Sequence, residues 1–156
     1  MDLSEVRGGA VATMDSAAIL TVLAHRYPFL LVDRIDVIDR GRRVEGTKRV
    51  TGSEWFGAAW RPGDAAMPNM LVVEALAQTS AALLLGLVNS TEGVVGYFAA
   101  LERVKFRDPA VAGDTLILDV ELTTFRRGVA HLKGRATVNG RRVVSAGFTT
   151  IVRAAS

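Results

Sequence analysis

One isolated carboxylate, two histidines and no cysteine set the side-chain chemistry open to this chain. The carboxylate is Glu74, the only acidic side chain between Asp64 and Glu92, in the apolar run MPNMLVVEALAQ from Met67 to Gln78. A carboxyl group kept among Val72, Val73, Ala75 and Leu76 is of the type that serves as a general acid or base. Its plainer role would be that of a helix carboxylate that reaches solvent or bonds Gln78 one turn on. The imidazoles are His25, in HRYPFLLVDR, and His131, in VAHLKGRATV. Ala130, Leu132, Gly134, Ala136 and Val138 alternate along one face, which leaves His131 with Lys133 and Arg135 on the polar face of a strand. Without cysteine there is no disulfide, thiolate metal site or cysteine nucleophile. No His and carboxylate cluster has metal-ligand spacing, and no glycine-rich loop is shaped to cradle phosphate.

These residues must be positioned by the elements around them. Asp15 or Ser16 caps a short helix whose apolar face is Ala18, Ile19, Val22 and Leu23. The run FLLVDRIDVIDRGRRVEGTKRV reads as two strands joined at Asp39-Arg40-Gly41. Thr51 to Ala66 is a loop, and its two tryptophans, Trp55 and Trp60, imply that it packs against something. Pro68 stands where the first turn of a helix tolerates proline. That helix, from about residue 68 to 88, is apolar nearly all round and so is expected to be buried on every side. Strands follow over Val94–Phe106, Thr115–Phe125, Val129–Val138 and Arg142–Val152, with a hairpin signal at Asn139-Gly140. A long helix followed by an antiparallel sheet predicts an α+β fold in which the sheet covers the helix.

At 156 residues, 49% hydrophobic and 22% charged, the chain has the size and composition of one globular domain. Residues 1–13 have no apolar period and read as a flexible leader, with the domain over 14–156. The start MDLSEVRGGA has no apolar segment of the signal-peptide kind, and the Met70–Val88 region is interrupted by Glu74, too polar for a membrane span. Together with the missing cysteines, this points to the cytoplasm. The net charge of +3 and pI near 9.8 come from scattered basic residues. Aromatics are sparse, so an acidic protein partner suits the surface better than nucleic acid.

Three stretches carry a family likeness: HRYPFLLVDR (His25–Arg34), MPNMLVVEALAQ (Met67–Gln78) and YFAALERVKFRDPAVAGDTL (Tyr97–Leu116). In their order and spacing, from about Asp15 to Val152, the chain resembles the bacterial 3-hydroxyacyl-[acyl-carrier-protein] dehydratases. The resemblance implies a single hot-dog domain, a long central helix wrapped by a curved antiparallel sheet of about five to six strands. It implies dimers with acyl tunnels at their interface, often three to a hexamer, and a place in fatty-acid or polyketide assembly. The partner would be acyl carrier protein, whose phosphopantetheine arm belongs to the substrate, with no other cofactor.

The family's roles carry over one position at a time. Glu74 falls on the helix acid that protonates the leaving hydroxyl. Asn69 falls on the family's usual glycine after Met-Pro (Met67-Pro68), whose backbone amide holds the thioester oxygen where a helix N-terminus favours negative charge; the Asn69 amide can still donate, but its side chain adds bulk that could crowd the site. Tyr97, beside Phe98, resembles the residue that gates the acyl tunnel. The base does not carry over. The family reads roughly His-Phe-Pro-Gly-His/Asp-Pro-x-Met-Pro, and this chain, without a gap, reads Trp60-Arg61-Pro62-Gly63-Asp64-Ala65-Ala66-Met67-Pro68. An indole nitrogen only donates and cannot take up a proton. Neither His25 nor His131 is expected to replace the base, and either imidazole found within contact range of Glu74 inside a substrate channel would overturn the expectation of a crippled site. The expectation is a protein that binds acyl thioesters but dehydrates them weakly or not at all, alone or as the silent half of a heterodimer with a histidine-bearing homologue. The alternative is a hot-dog thioesterase in which Glu74 activates water.

Overall fold

The computed structural model describes residues 13–57, 65–85 and 94–154. A two-residue strand β1 (Thr13–Met14) leads into helix α1 (Ser16–Val22), then strands β2 (Arg34–Asp39) and β3 (Arg43–Arg49). A single 3₁₀ turn (Trp55–Gly57) precedes the long helix α2 (Asn69–Leu85), and β4 (Val94–Phe106), β5 (Thr115–Arg126), β6 (Val129–Val138) and β7 (Arg141–Ala154) complete the chain. All pairings are antiparallel, in the order β1-β2-β3-β5-β6-β7-β4.

The six long strands match the sequence expectation, and β1 adds a short piece at the β2 edge. It is held by Asp36, whose carboxylate accepts from Thr13 Oγ1 at 2.6 Å and from Arg34. The Arg34 hydrogen bonds, then that of Thr13, hold this carboxyl below its ordinary range.

Alternation decides which side chains face the helix. Leu116, Leu118, Val120 and Leu122 of β5, Ala130, Leu132 and Ala136 of β6, and Val144, Ala146 and Phe148 of β7 are all buried. They meet Val72, Val73, Ala75, Leu76 and Leu83 of α2 to form the core. The helix lies close on the sheet at Gly134, where an added Cβ would stand 2.8 Å from the Phe148 ring and 3.3 Å from Leu76. The Asn139-Gly140 hairpin forms as read, with both residues at positive φ (50° and 78°).

Burial of α2 is not complete. Met70 is 58% exposed and Glu74 is half-buried one turn later. The sheet covers one side of the helix and the segment before β2 another, which leaves the Met70–Glu74 flank open. Among the described residues, no helix is long and apolar enough to cross a membrane.

Candidate active site

The site is assembled where the segment between α1 and β2 crosses α2. Asp15 caps α1, accepting from the Ala18 N–H at 2.9 Å, and Ile19 and Leu23 are its buried anchors. At the other end the Arg26 guanidinium donates to the Leu20, Leu23 and His25 carbonyls at 3.0, 2.7 and 2.8 Å. Carbonyls in the last turn of a helix have no partner within it, so a cation that binds two of them fixes where the chain goes next. The backbone then turns tightly, with the Phe29 N–H donating to the Arg26 carbonyl at 2.7 Å.

Gln78 fastens this turn to the helix. Its Oε1 accepts from the Leu31 N–H at 2.9 Å, and its Nε2 donates to the Phe29 carbonyl at 2.6 Å and to Glu74 Oε1 at 2.9 Å. A fully buried amide is tolerated because these bonds satisfy it. The bond to Gln78 is the plainer role foreseen for Glu74, and the two residues share one helix face because they lie four apart.

His25 is a correction to the sequence expectation. Sequence alone gives it no catalytic role, yet its Nε2 lies 3.5 Å from Glu74 Oε1 in the same chain, a contact that counts against a site lacking an imidazole. Nor does Glu74 lack polar company: it has His25 and Gln78, and its side chain is 36% exposed. His25 Nδ1 is buried, without a hydrogen-bond partner among the described residues. Nothing in its spacing betrays this placement; the available signal was its position inside a motif that the resemblance matched. His131 sits on the outer sheet face as expected, its Nδ1 3.1 Å from Thr149 Oγ1.

The other expected residues separate into two places. Pro68 and Asn69 head α2, where the first N–H groups have no intrahelical acceptor, so the Asn69 amide is of the right kind to receive an oxyanion. Tyr97 and Phe98 lie on the edge strand β4, 59% and 44% exposed. Phe98 meets the buried Phe148 edge-on at 5.8 Å between ring centres, and alternation sends Tyr97 the opposite way. No hydrogen bond or ring contact joins either to Glu74 among the described residues. Trp60 lies outside the described residues.

An aromatic cluster packs around Phe29, whose carbonyl Gln78 binds. Trp55 packs against Phe29 at 5.6 Å and against Phe56 at 5.4 Å, so the loop packs at the first of its two tryptophans. The loop is fixed by Lys48, nearly buried, whose Nζ stands 2.6 Å from Glu54 Oε1 and 3.9 Å from Asp33 Oδ1. Substituting Lys48→Ala strands Glu54 with little solvent and is expected to cost about 1–3 kcal/mol, read as a fall in the thermal midpoint. An unchanged midpoint would show that the ion pair does not hold the loop.

Elsewhere a groove of about 480 Å³ runs over the outer sheet face, walled by Glu102, Asp119, His131, Lys133 and Arg135. Such charged walls do not suit an acyl chain, and none of the Glu74 group lines it. No group of three or more metal-ligating side chains forms among the described residues.

A long helix under a curved antiparallel sheet, with a carboxylate on its open flank, defines a hot-dog protein. Solved hot-dog structures bear this out. The dehydratase heterocomplex ApeI:P from Xenorhabdus doucetiae superposes with a TM-score of 0.69 at 15% identity, over 85% of this chain and 89% of that one. A hot-dog-like protein from Thermanaerovibrio acidaminovorans superposes with a TM-score of 0.59 at 19% identity, over 72% and 81%. The FabA-like domain model matches residues 23–147. The 3-hydroxyacyl-[acyl-carrier-protein] dehydratase FabZ of Albidiferax ferrireducens is 43% identical over 90% of this chain and 95% of its own. That of Thermus thermophilus is 43% identical over 92% of this chain and 100% of its own. The chain therefore belongs to the FabA-like family of 3-hydroxyacyl-[acyl-carrier-protein] dehydratases.

Proposed function

We propose that the chain binds acyl thioesters on acyl carrier protein beside Glu74, dehydrates them weakly or not at all alone, and supplies Glu74 as the acid to a histidine-bearing homologue in a heterodimer. The observation that carries this is the unbroken frame from Trp60 to Glu74, in which an indole stands at the position of the family's base. The family's chemistry needs a base at C2 and an acid at the C3 hydroxyl, on either side of one carbon–carbon bond. His25 Nε2, 3.5 Å from Glu74 Oε1, is turned toward that carboxyl itself. The half-buried carboxyl on an open helix flank suits a site completed by another subunit, and the structural neighbour ApeI:P is a dehydratase heterocomplex.

The test is hydration of a crotonyl thioester, the reverse reaction, by the purified chain, by a histidine-bearing homologue from the same genome and by the two co-purified. A trace alone and a co-purified complex whose turnover depends on this chain's Glu74 are expected. A complex that does not form, or one whose rate is that of the homologue alone, would refute the heterodimer.

A second function is favoured by one feature. Gln78 and His25 both approach Glu74 through Oε1, so Oε2 is left to polarise a water. Thioester hydrolysis needs no proton removed from carbon, so a thioesterase would not miss the base. Thiol release lost in Glu74→Gln would support it; equal release would end it.

A further inference from the structure

The segment carrying His25 is fixed at both ends by bonds that do not involve the imidazole. Arg26 ties the Leu20, Leu23 and His25 carbonyls together, and Gln78 ties Phe29 and Leu31 to α2. The imidazole so placed presents Nε2 to Glu74 and hides Nδ1 from solvent, without a partner among the described residues. A buried nitrogen that bonds nothing is better left without a proton, because an unsatisfied N–H is costly in such a place. The proton of a neutral ring then belongs on Nε2, facing the carboxylate, and the ring's lone pair lies on the buried Nδ1, out of a substrate's reach. A base would need the opposite arrangement.

We infer that His25 is a positioning residue: with Gln78 it holds Glu74 by Oε1 and directs Oε2 toward the open flank where a ligand would lie. Gln78 donates to that oxygen from α2 at 2.9 Å, and His25 Nε2 faces it at 3.5 Å from the segment before β2. That restricts the carboxylate to one rotamer, where a free glutamate on an open helix flank would sample several. A reacting group loses rate steeply when its placement loosens, on the order of 10²-fold for about 1 Å. The inference rests on the proposal that Glu74 is the working carboxyl, but its geometry can be measured without any reaction.

Two variants of the full chain decide it. His25→Phe keeps a ring of similar size and removes the donor; His25→Gln keeps an N–H. The first measurement is the rotamer averaging of Glu74, from NMR couplings of its side-chain methylenes in the chain alone. A single rotamer is expected in the parent and His25→Gln, and an averaged one in His25→Phe. The second is the rate of the complex with the histidine-bearing homologue: kcat is expected to fall about tenfold or more in His25→Phe with KM unchanged, and to recover in His25→Gln. A Glu74 that stays in one rotamer in His25→Phe would overturn the inference. An equal loss of kcat in both variants would also overturn it, because the imidazole itself would then be taking part in the reaction. If the complex is inactive throughout, the proposed function falls, while the rotamer measurement still decides the role of His25. Should His25→Phe fail to fold, His25→Ala serves for both measurements.

Discussion

The complex of this chain with a histidine-bearing homologue is expected to lose dehydration by a factor of about 10²–10⁴ when Glu74→Gln is introduced here alone. The amide keeps the size of the side chain and still fits beside Gln78 and His25, so fold and assembly should persist. What it removes is the proton that a carboxyl group delivers to the departing hydroxyl. If the homologue works with its own acid and this chain is only a scaffold, the rate will not change. Co-purification and the thermal midpoint, both expected to match the parent, show that the loss is chemical rather than structural. A smaller loss, below about tenfold, would place the acid elsewhere.

Trp60→His is the complementary experiment, a gain. Placing an imidazole at residue 60, which we read as the family's base position, is expected to raise hydration of a crotonyl thioester by the chain alone by on the order of 10²-fold, the low end of what a positioned base contributes. The low end is chosen because Arg61 and Asn69 also depart from the family's pattern and were not shaped around that base. The gain should vanish in the double variant that adds Glu74→Gln, since base and acid act on one substrate and their effects are not additive. A folded Trp60→His variant no faster than the parent would mean that the indole is not what limits turnover.

Much of the fold could be read in the sequence because it is set by local pattern. Strand β5 alternates strictly and buries Leu116, Leu118, Val120 and Leu122 as its period demands. The Asn139-Gly140 turn follows from the two residue types that adopt positive φ most readily. Helix α2 starts where Pro68 said it would. The order of the strands could not be read, because β4 joins the sheet beside β7, an adjacency made by packing at long range.

The site divides in the same way. Glu74 stood out by being the one charge in a greasy helix, and Gln78 by its spacing of four. His25 did not, because its approach to Glu74 is produced by the Arg26 cap and the Gln78 clamp, two tertiary features that no local period encodes. The open Met70–Glu74 flank was missed for a related reason. An apolar helix face predicts a cover without saying which chain provides it, and here this chain leaves Met70 exposed.

The most direct measurement is the turnover of the unaltered chain by itself, at high enzyme concentration, on a crotonyl thioester. With an indole at residue 60 and His25 turned toward Glu74, only a trace above the uncatalysed rate is expected. Turnover within about tenfold of a histidine-bearing relative, abolished by His25→Ala or by Glu74→Gln, would contradict the account and make His25 the base.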